Sequence, residues 1–229
     1  MREGELSGAT VVFDLDGTLV DTAPDLLCAL NQTLDLEGLP HASLGQMRAI
    51  VGQGARKTIE RAAGLSGVRF SSARLDQLTE AFVRFYRADI AAESQPFPGV
   101  EETLLALQGA GARLAVCTNK RTELSVELLR ALELEERFSA IVGADAVQNS
   151  KPHPEHFRET VARAGGVIRD SIMIGDSAPD VASAKGAGAP ALAVTFGYTE
   201  TPVEKLGADG LIDDFRTAPS LILSLLRRR

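Results

Sequence analysis

The sequence predicts an α/β fold: a Rossmann-like, doubly wound parallel sheet with a small α-helical cap domain inserted after its first strand. Three observations carry this. From Val100 onward, short apolar runs alternate with stretches of helical periodicity, the pattern of a parallel sheet with crossover helices. From Ser43 to Ala92 there is helical spacing and no strand signal, more chain than one crossover helix needs. Polar clusters sit just beyond the apolar runs, at the edge where open α/β sheets form ligand crevices. Residues 1–20 and 97–229 are therefore assigned to the core, and 21–96 to the cap.

Val11-Val12-Phe13 reads as a short buried strand that gives way to a turn at Gly17. Thr22 and Pro24 look like a helix start, with Leu26, Leu27, Leu30 and Leu34 at helical spacing and Gly38 and Pro40 ending it. Leu75, Leu78, Phe82, Phe85 and Tyr86 mark one face of the longest cap helix, capped by Ser71 or Ser72. Pro96-Phe97-Pro98-Gly99 reads as a stiff linker back to the core. A helix over Val100 to Leu107 precedes a strand at Leu114 to Cys117, and a helix from Glu123 to Leu132 precedes Ala140-Ile141-Val142. The helix opening at Pro154 leads to Ile172-Met173-Ile174. The helix from Pro179 to Lys185, closed by Gly186 and Gly188, leads to Ala191–Val194. Leu211-Ile212 is a short edge strand, and Leu221, Ile222, Leu225 and Leu226 share one face of a final helix.

Composition narrows the class. Hydrophobic residues make up 45% and charged residues 24%, the balance of an ordinary globular protein that can bury a substantial core. A net charge of −7 argues against a nucleic-acid partner, which wants a basic face. The basic tail Arg227-Arg228-Arg229 reads as a solvated terminus. No apolar run reaches the roughly 20 residues of a membrane span, and the acidic start Met1-Arg2-Glu3-Gly4-Glu5 is no signal peptide, so no membrane association and a cytoplasmic location are expected. Cys28 and Cys117 lie on separate apolar segments and read as buried free thiols. His153 and His156 read as surface residues near a helix start.

The chemistry-bearing residues form four clusters. Asp14 and Asp16 arrive at the C-terminal end of the first strand, where two carboxylates can divide labour: one attacks or binds a metal while the other moves protons. Thr118-Asn119-Lys120 follows the strand ending at Cys117, offering a hydroxyl and an amide that donate to phosphoryl oxygens without adding charge. Lys151 is held by Pro152 and Pro154 on an extended connector, placed to neutralise an anionic transition state. Gly175-Asp176-Ser177-Ala178-Pro179-Asp180 follows the strand ending at Ile174. It sets Asp176 at the sheet edge as a metal ligand and Asp180 one turn into the helix, where it can bind metal waters, orient Lys151 or complement the helix dipole. Each cluster alone has a bland reading as turn, cap or surface; their order along the chain is what makes them a site. In the cap, Gly52-Gln53-Gly54-Ala55-Arg56-Lys57 combines a turned loop with a helix N-terminus and an arginine fork, so Arg56 is a candidate reader of a substrate carboxylate.

Phe13-Asp14-Leu15-Asp16-Gly17-Thr18-Leu19, taken with Thr118, Lys151, Asp176 and Asp180, resembles the haloacid dehalogenase superfamily over nearly the whole chain. Asp16 resembles the phosphatases and mutases of that superfamily. The phrases Asp21-Thr22-Ala23-Pro24-Asp25, Gly52-Gln53-Gly54-Ala55, Thr118-Asn119-Lys120 and Phe196-Gly197-Tyr198 look like phosphoglycolate phosphatases. The resemblance implies Asp14 as nucleophile and Asp16 as general acid and base. It implies Mg²⁺ held by Asp14, Asp176 and the main-chain carbonyl of Asp16 with Asp180 behind them, and Thr118, Asn119 and Lys151 on the transferring oxygens. It implies hydrolysis of a small phosphate ester, 2-phosphoglycolate first, by a monomer or homodimer whose cap reads the rest of the substrate. A sugar-phosphate mutase resembling β-phosphoglucomutase, a pyrophosphatase or another phosphomonoesterase is the alternative, and a non-catalytic binding module is a third reading.

Overall fold

Val11, Val12 and Phe13 lie in β1 (Thr10–Phe13), where every residue is fully buried. The computed structural model describes residues 2–199 and 201–227. After β1 come β2 (Val20–Asp21) and four helices: α1 (Ala23–Asp35), α2 (Leu44–Ile50), α3 (Ala55–Leu65) and α4 (Ser72–Ala88). β3 (Gln95–Pro96) returns the chain to α5 (Val100–Gly109) and β4 (Arg113–Cys117). Then α6 (Thr122–Ala131) leads to β5 (Ala140–Val142), α7 (Pro154–Arg163) to β6 (Ser171–Gly175), and α8 (Ala178–Ala187) to β7 (Ala191–Val194). β8 (Gly210–Ile212) precedes α9 (Ala218–Leu226).

Six strands form one parallel sheet in the order β5-β4-β1-β6-β7-β8. Successive residues of a strand face opposite sides, and here both sides are apolar because both are covered by helices. Val11 and Phe13 join Ile172 and Ile174 in a core closed by Leu104 and Leu107 of α5 and Ile222 of α9. Val12 joins Ala115 and Met173 in a second core closed by Phe157 of α7 and Val181 of α8. The strand order reverses at β1, with the chain proceeding to β4 on one side and β6 on the other, so a crevice opens beyond its C-terminal end.

The four helices after β2 have their own core. Leu26, Leu30 and Leu34 of α1 pack with Met47, Ile59, Leu78 and Phe82 from the other three, and Leu124 of α6 reaches in from the sheet side. Ser71 caps α4, its side chain accepting from Arg74 N–H at 3.2 Å. Asp25, 4% exposed, accepts from the amides of Glu93 (3.0 Å) and Ser94 (2.8 Å) and from the Ser94 hydroxyl (2.6 Å), fastening α1 to the returning chain. Among the described residues, no helix is long and apolar enough to cross a membrane.

Several local expectations are corrected. The segments flanking the helical insertion pair as a two-stranded antiparallel ribbon, Val20 with Pro96 and Asp21 with Gln95, where the sequence suggested only a stiff linker; two residues per strand carry no periodicity to read. Thr22 precedes α1 but makes no side-chain cap, because its hydroxyl is committed to Asp16 at 2.7 Å. Cys117 is buried, but Cys28 is exposed: the buried positions of α1 include Leu26, Ala29 and Leu30, and Cys28 lies off that face. His156 is fully buried rather than on the surface, because it shares the inner face of α7 with Phe157, Thr160 and Val161. The connector at Lys151 is a turn. Met1, Arg228 and Arg229 lie outside the described residues.

Candidate active site

Asp14 follows β1 directly, its N–H donating to Ile174 O at 2.9 Å, so the β6 neighbour carries it to the sheet edge. Asp14 Oδ1 accepts from Leu15 N–H at 2.7 Å and lies 2.9 Å from Lys151 Nζ. Lys151 Nζ also donates to Asp180 Oδ1 at 2.6 Å, and its side chain is 1% exposed. Asp180 Oδ2 accepts from the amide (3.0 Å) and hydroxyl of Ser177 at the start of α8, so Asp180 both caps that helix and orients the lysine. Asp176 directly follows β6, and its Oδ2 accepts from Tyr198 N–H at 2.7 Å. The turn at Gly17 packs closely against Asp176 and Tyr198. Its φ of +80° is costly for other residues, and a Cβ there would stand 2.5 Å from Asp176 Oδ2.

Asp14, Asp176 and Asp180 are all buried and offer oxygens within 4.8 Å of one another. Burial pushes the Asp14 carboxyl up to about 7 despite the pull of Lys151. Burial, then the charges of Asp180 and Asp14, raise Asp176 well above the usual carboxylate range. Three carboxylates share one ammonium, leaving an excess of negative charge that a bound divalent cation would neutralise. Asp14 Oδ2 and Asp176 Oδ1 accept no hydrogen bond among the described residues, whereas both oxygens of Asp180 are engaged. An all-oxygen donor set of this kind could hold a hard cation, and Asp14 and Asp176 offer the uncommitted oxygens for it.

Thr118 sits at the end of β4, 1% exposed, with its hydroxyl accepting from Lys120 N–H at 3.2 Å. Asn119 donates to the carbonyls of Gly52 and Lys151, both at 3.2 Å, and so ties the cap loop and the lysine turn together. His156 props the same turn: Nδ1 accepts from Lys151 N–H at 3.2 Å, and Nε2 donates to Val142 O at 3.0 Å. Burial and the Lys151 charge lower its pKa to about 4, so it is neutral. Arg56 lines the cavity between cap and sheet, but its guanidinium is paired with Asp76 (3.1 Å) and Ser72 Oγ (2.9 Å) and is half-exposed.

The cavity measures about 910 Å³ and is walled by Asp14, Asp16 and Thr118 on the sheet side and Met47, Phe82 and Tyr86 on the cap side. The sequence names Lys120 in its cluster and Tyr86 on a helix face but gives neither a role at the site. Asp16 Oδ1 accepts from Thr22 Oγ1 and lies 3.1 Å from Lys120 Nζ. Lys120 in turn lies 3.2 Å from the Tyr86 hydroxyl and 4.3 Å above its ring. Lysine in a turn reads as surface and tyrosine on an amphipathic helix as core, so only their meeting in space reveals them. Tyr198 likewise joins two places: its amide holds Asp176, while its hydroxyl bonds Asp21 and accepts from Ala23 N–H at 3.1 Å.

A family model for haloacid dehalogenase-like hydrolases matches residues 11–194. The phosphoglycolate phosphatase of Caulobacter vibrioides is 48% identical over 97% of this chain and 94% of its own length. That of Agrobacterium fabrum is 45% identical over 95% and 94%. The crystal structure of a predicted phosphoglycolate phosphatase from Haemophilus somnus superposes with a TM-score of 0.86 at 29% identity, covering 94% of this chain and 98% of that one. With a buried acidic cluster at the switch point of a parallel sheet and relatives matched over nearly their whole length, the chain belongs to the haloacid dehalogenase-like hydrolases.

Proposed function

We propose that this hydrolase is a Mg²⁺-dependent phosphatase that cleaves a small phosphate monoester, 2-phosphoglycolate first, through an aspartyl-phosphate on Asp14. The observation that carries the reading is the Asp14 carboxylate held 2.9 Å from the buried Lys151 ammonium, within reach of Asp176. In this reading an Asp14 oxygen attacks phosphorus, and the bond from phosphorus to the ester oxygen breaks. Asp16 gives its proton to the departing alkoxide. A water then attacks the phosphorus, Asp16 takes the water's proton, and inorganic phosphate leaves with Asp14 restored. Thr118 and Lys151 hold the transferring oxygens while Asn119 fixes the loops around them. Asp14, Asp176 and the main-chain carbonyl of Asp16 would hold Mg²⁺, which supplies charge compensation for a loose transition state. Residues 21–96 act as a cap that excludes water and reads the rest of the substrate, and the identities to phosphoglycolate phosphatases favour that ester.

Phosphate release from a panel of esters and pyrophosphate, with and without Mg²⁺ and ranked by kcat/KM, tests the proposal. Metal-dependent release with 2-phosphoglycolate at the head supports it. A sugar phosphate isomerised without net phosphate release transfers the assignment to a mutase.

A further inference from the structure

We infer that Lys120 is the residue that recognises the substrate's distal anion, a carboxylate one methylene beyond the ester oxygen. The inference rests on the phosphatase reading above and deepens it. Among the described residues, three cationic side chains line the cavity: Arg56, Lys120 and Arg121. Arg56 is paired with Asp76 at 45% exposure, and Arg121 with Glu80 at 44%. A charge that open to water and already partnered discriminates weakly between ligands. Lys120 differs on both counts. Its side chain is 6% exposed, and its carboxylate partner is Asp16, the group the reaction needs elsewhere.

The distances agree. Asp16 must come within about 3 Å of the ester oxygen to protonate it. Lys120 Nζ is 3.1 Å from Asp16 Oδ1, so an ester oxygen that Asp16 protonates lies within about 6 Å of it. In a two-carbon acid ester, bond lengths set a carboxylate oxygen about 3 Å beyond the ester oxygen. The remaining gap of about 3 Å is one charge-assisted hydrogen bond. The ammonium is also held in place. The main-chain N–H of Lys120 is anchored on Thr118 Oγ1, the Tyr86 hydroxyl is 3.2 Å from Nζ, and the Tyr86 ring lies 4.3 Å from it. An ammonium has three donors, and nothing among the described residues takes the third. With Asp16 engaged on the ester oxygen, the substrate's carboxylate takes the third donor of a buried cation whose charge is costly to leave under-compensated. A hydroxyl in that position cannot do so, which makes Lys120 a device for selecting acids over alcohols of the same length.

The test compares 2-phosphoglycolate with 2-hydroxyethyl phosphate on the wild type, Lys120→Met, Lys120→Arg and Arg56→Ala. Lys120→Met is expected to lose roughly 10- to 100-fold in kcat/KM on the acid and far less on the alcohol. Lys120→Arg should recover part of the acid activity, and Arg56→Ala should leave the ratio of the two substrates near that of the wild type. If Lys120→Met does not fold by circular dichroism, Lys120→Gln, which keeps polar contacts without the charge, carries the same comparison. Equal losses on both substrates, or a preference for the acid that survives loss of the Lys120 charge, overturn this inference alone. A wild type with no preference for the acid overturns the phosphoglycolate reading together with it.

Discussion

Asp14 is asked to be ionised where burial opposes ionisation, and that conflict makes its replacement informative. Asp14→Asn keeps the shape and the bond from Leu15 N–H but removes both the proposed nucleophile and a buried charge. Turnover of any phosphate ester should vanish, while the metal-free variant should melt no lower than the wild type at pH 8, because one of three crowded carboxylates is gone. Residual kcat near the wild-type value would remove Asp14 from the nucleophile's role. Asp16→Asn should fail for a different reason, since the amide cannot pass a proton. General acid–base catalysis contributes about 10² to 10⁴ in rate, so the burst of phosphoenzyme should fall by that order with an alkyl ester and much less with p-nitrophenyl phosphate, whose leaving group needs little protonation. Rapid-quench measurements on the two esters decide it, and equal losses would assign Asp16 elsewhere.

At the scale of elements, legibility followed burial. Val11, Val12 and Phe13 could be read because a strand covered on both faces leaves an unbroken apolar run, and the acids could be placed because such a run must end at a sheet edge. The ribbon of Val20–Asp21 with Gln95–Pro96 could not, since pairing between segments so distant in sequence leaves no local pattern. His156 stood between the two cases. Its spacing from Thr160 matches the buried face of α7, yet the expectation that histidine beside a proline-led helix start is solvated prevailed wrongly. The buried imidazole has a measurable consequence. Its pKa is depressed from 6.5 to about 4 in the folded protein, so the unfolded chain takes up the proton first as pH falls. Stability contributed by the neutral ring is intact above about pH 6.5 and is lost as pH falls toward 4, by on the order of 3 kcal/mol in total. Urea titrations of wild type and His156→Gln across this window should show the variant, though weaker at pH 8, with the shallower decline. Parallel curves would mean that other groups carry the acid sensitivity.

For the molecule as a whole, a cation held by the acidic cluster would link metal binding to folding. A cation that binds only the folded state stabilises it by about 2.7 kcal/mol at a hundred times its Kd, so millimolar Mg²⁺ should raise Tm and a chelator should reverse the gain. Protons compete for the same oxygens. Because the folded Asp14 carboxyl titrates near 7 and Asp176 is raised as well, the Mg²⁺ shift should be largest near pH 8 and shrink toward pH 5, and Asp176→Asn should abolish most of it. A Mg²⁺ shift that persists in Asp176→Asn would locate the ion elsewhere. Assembly of the site from Asp14, Asp176, Asp180 and Lys151 was readable in outline, because each follows or flanks a strand. The layer between cap and sheet was not, because Lys120, Tyr86 and Tyr198 acquire their roles only from partners far along the chain.

The short ribbon at the mouth of the cap bears on how such a molecule diversifies. Val20 and Pro96 face each other across the ribbon, and Phe97 N–H donates to Leu19 O at 3.0 Å, so the helical insertion begins and ends at almost the same point and everything between those residues is, to the rest of the chain, a detour of no length. Helices there can be lengthened, shortened or exchanged over generations without altering the distance from Asp14 to Asp176. The acidic cluster is thereby kept, while the part of the cavity wall that Met47, Phe82 and Tyr86 supply is free to change with the insertion.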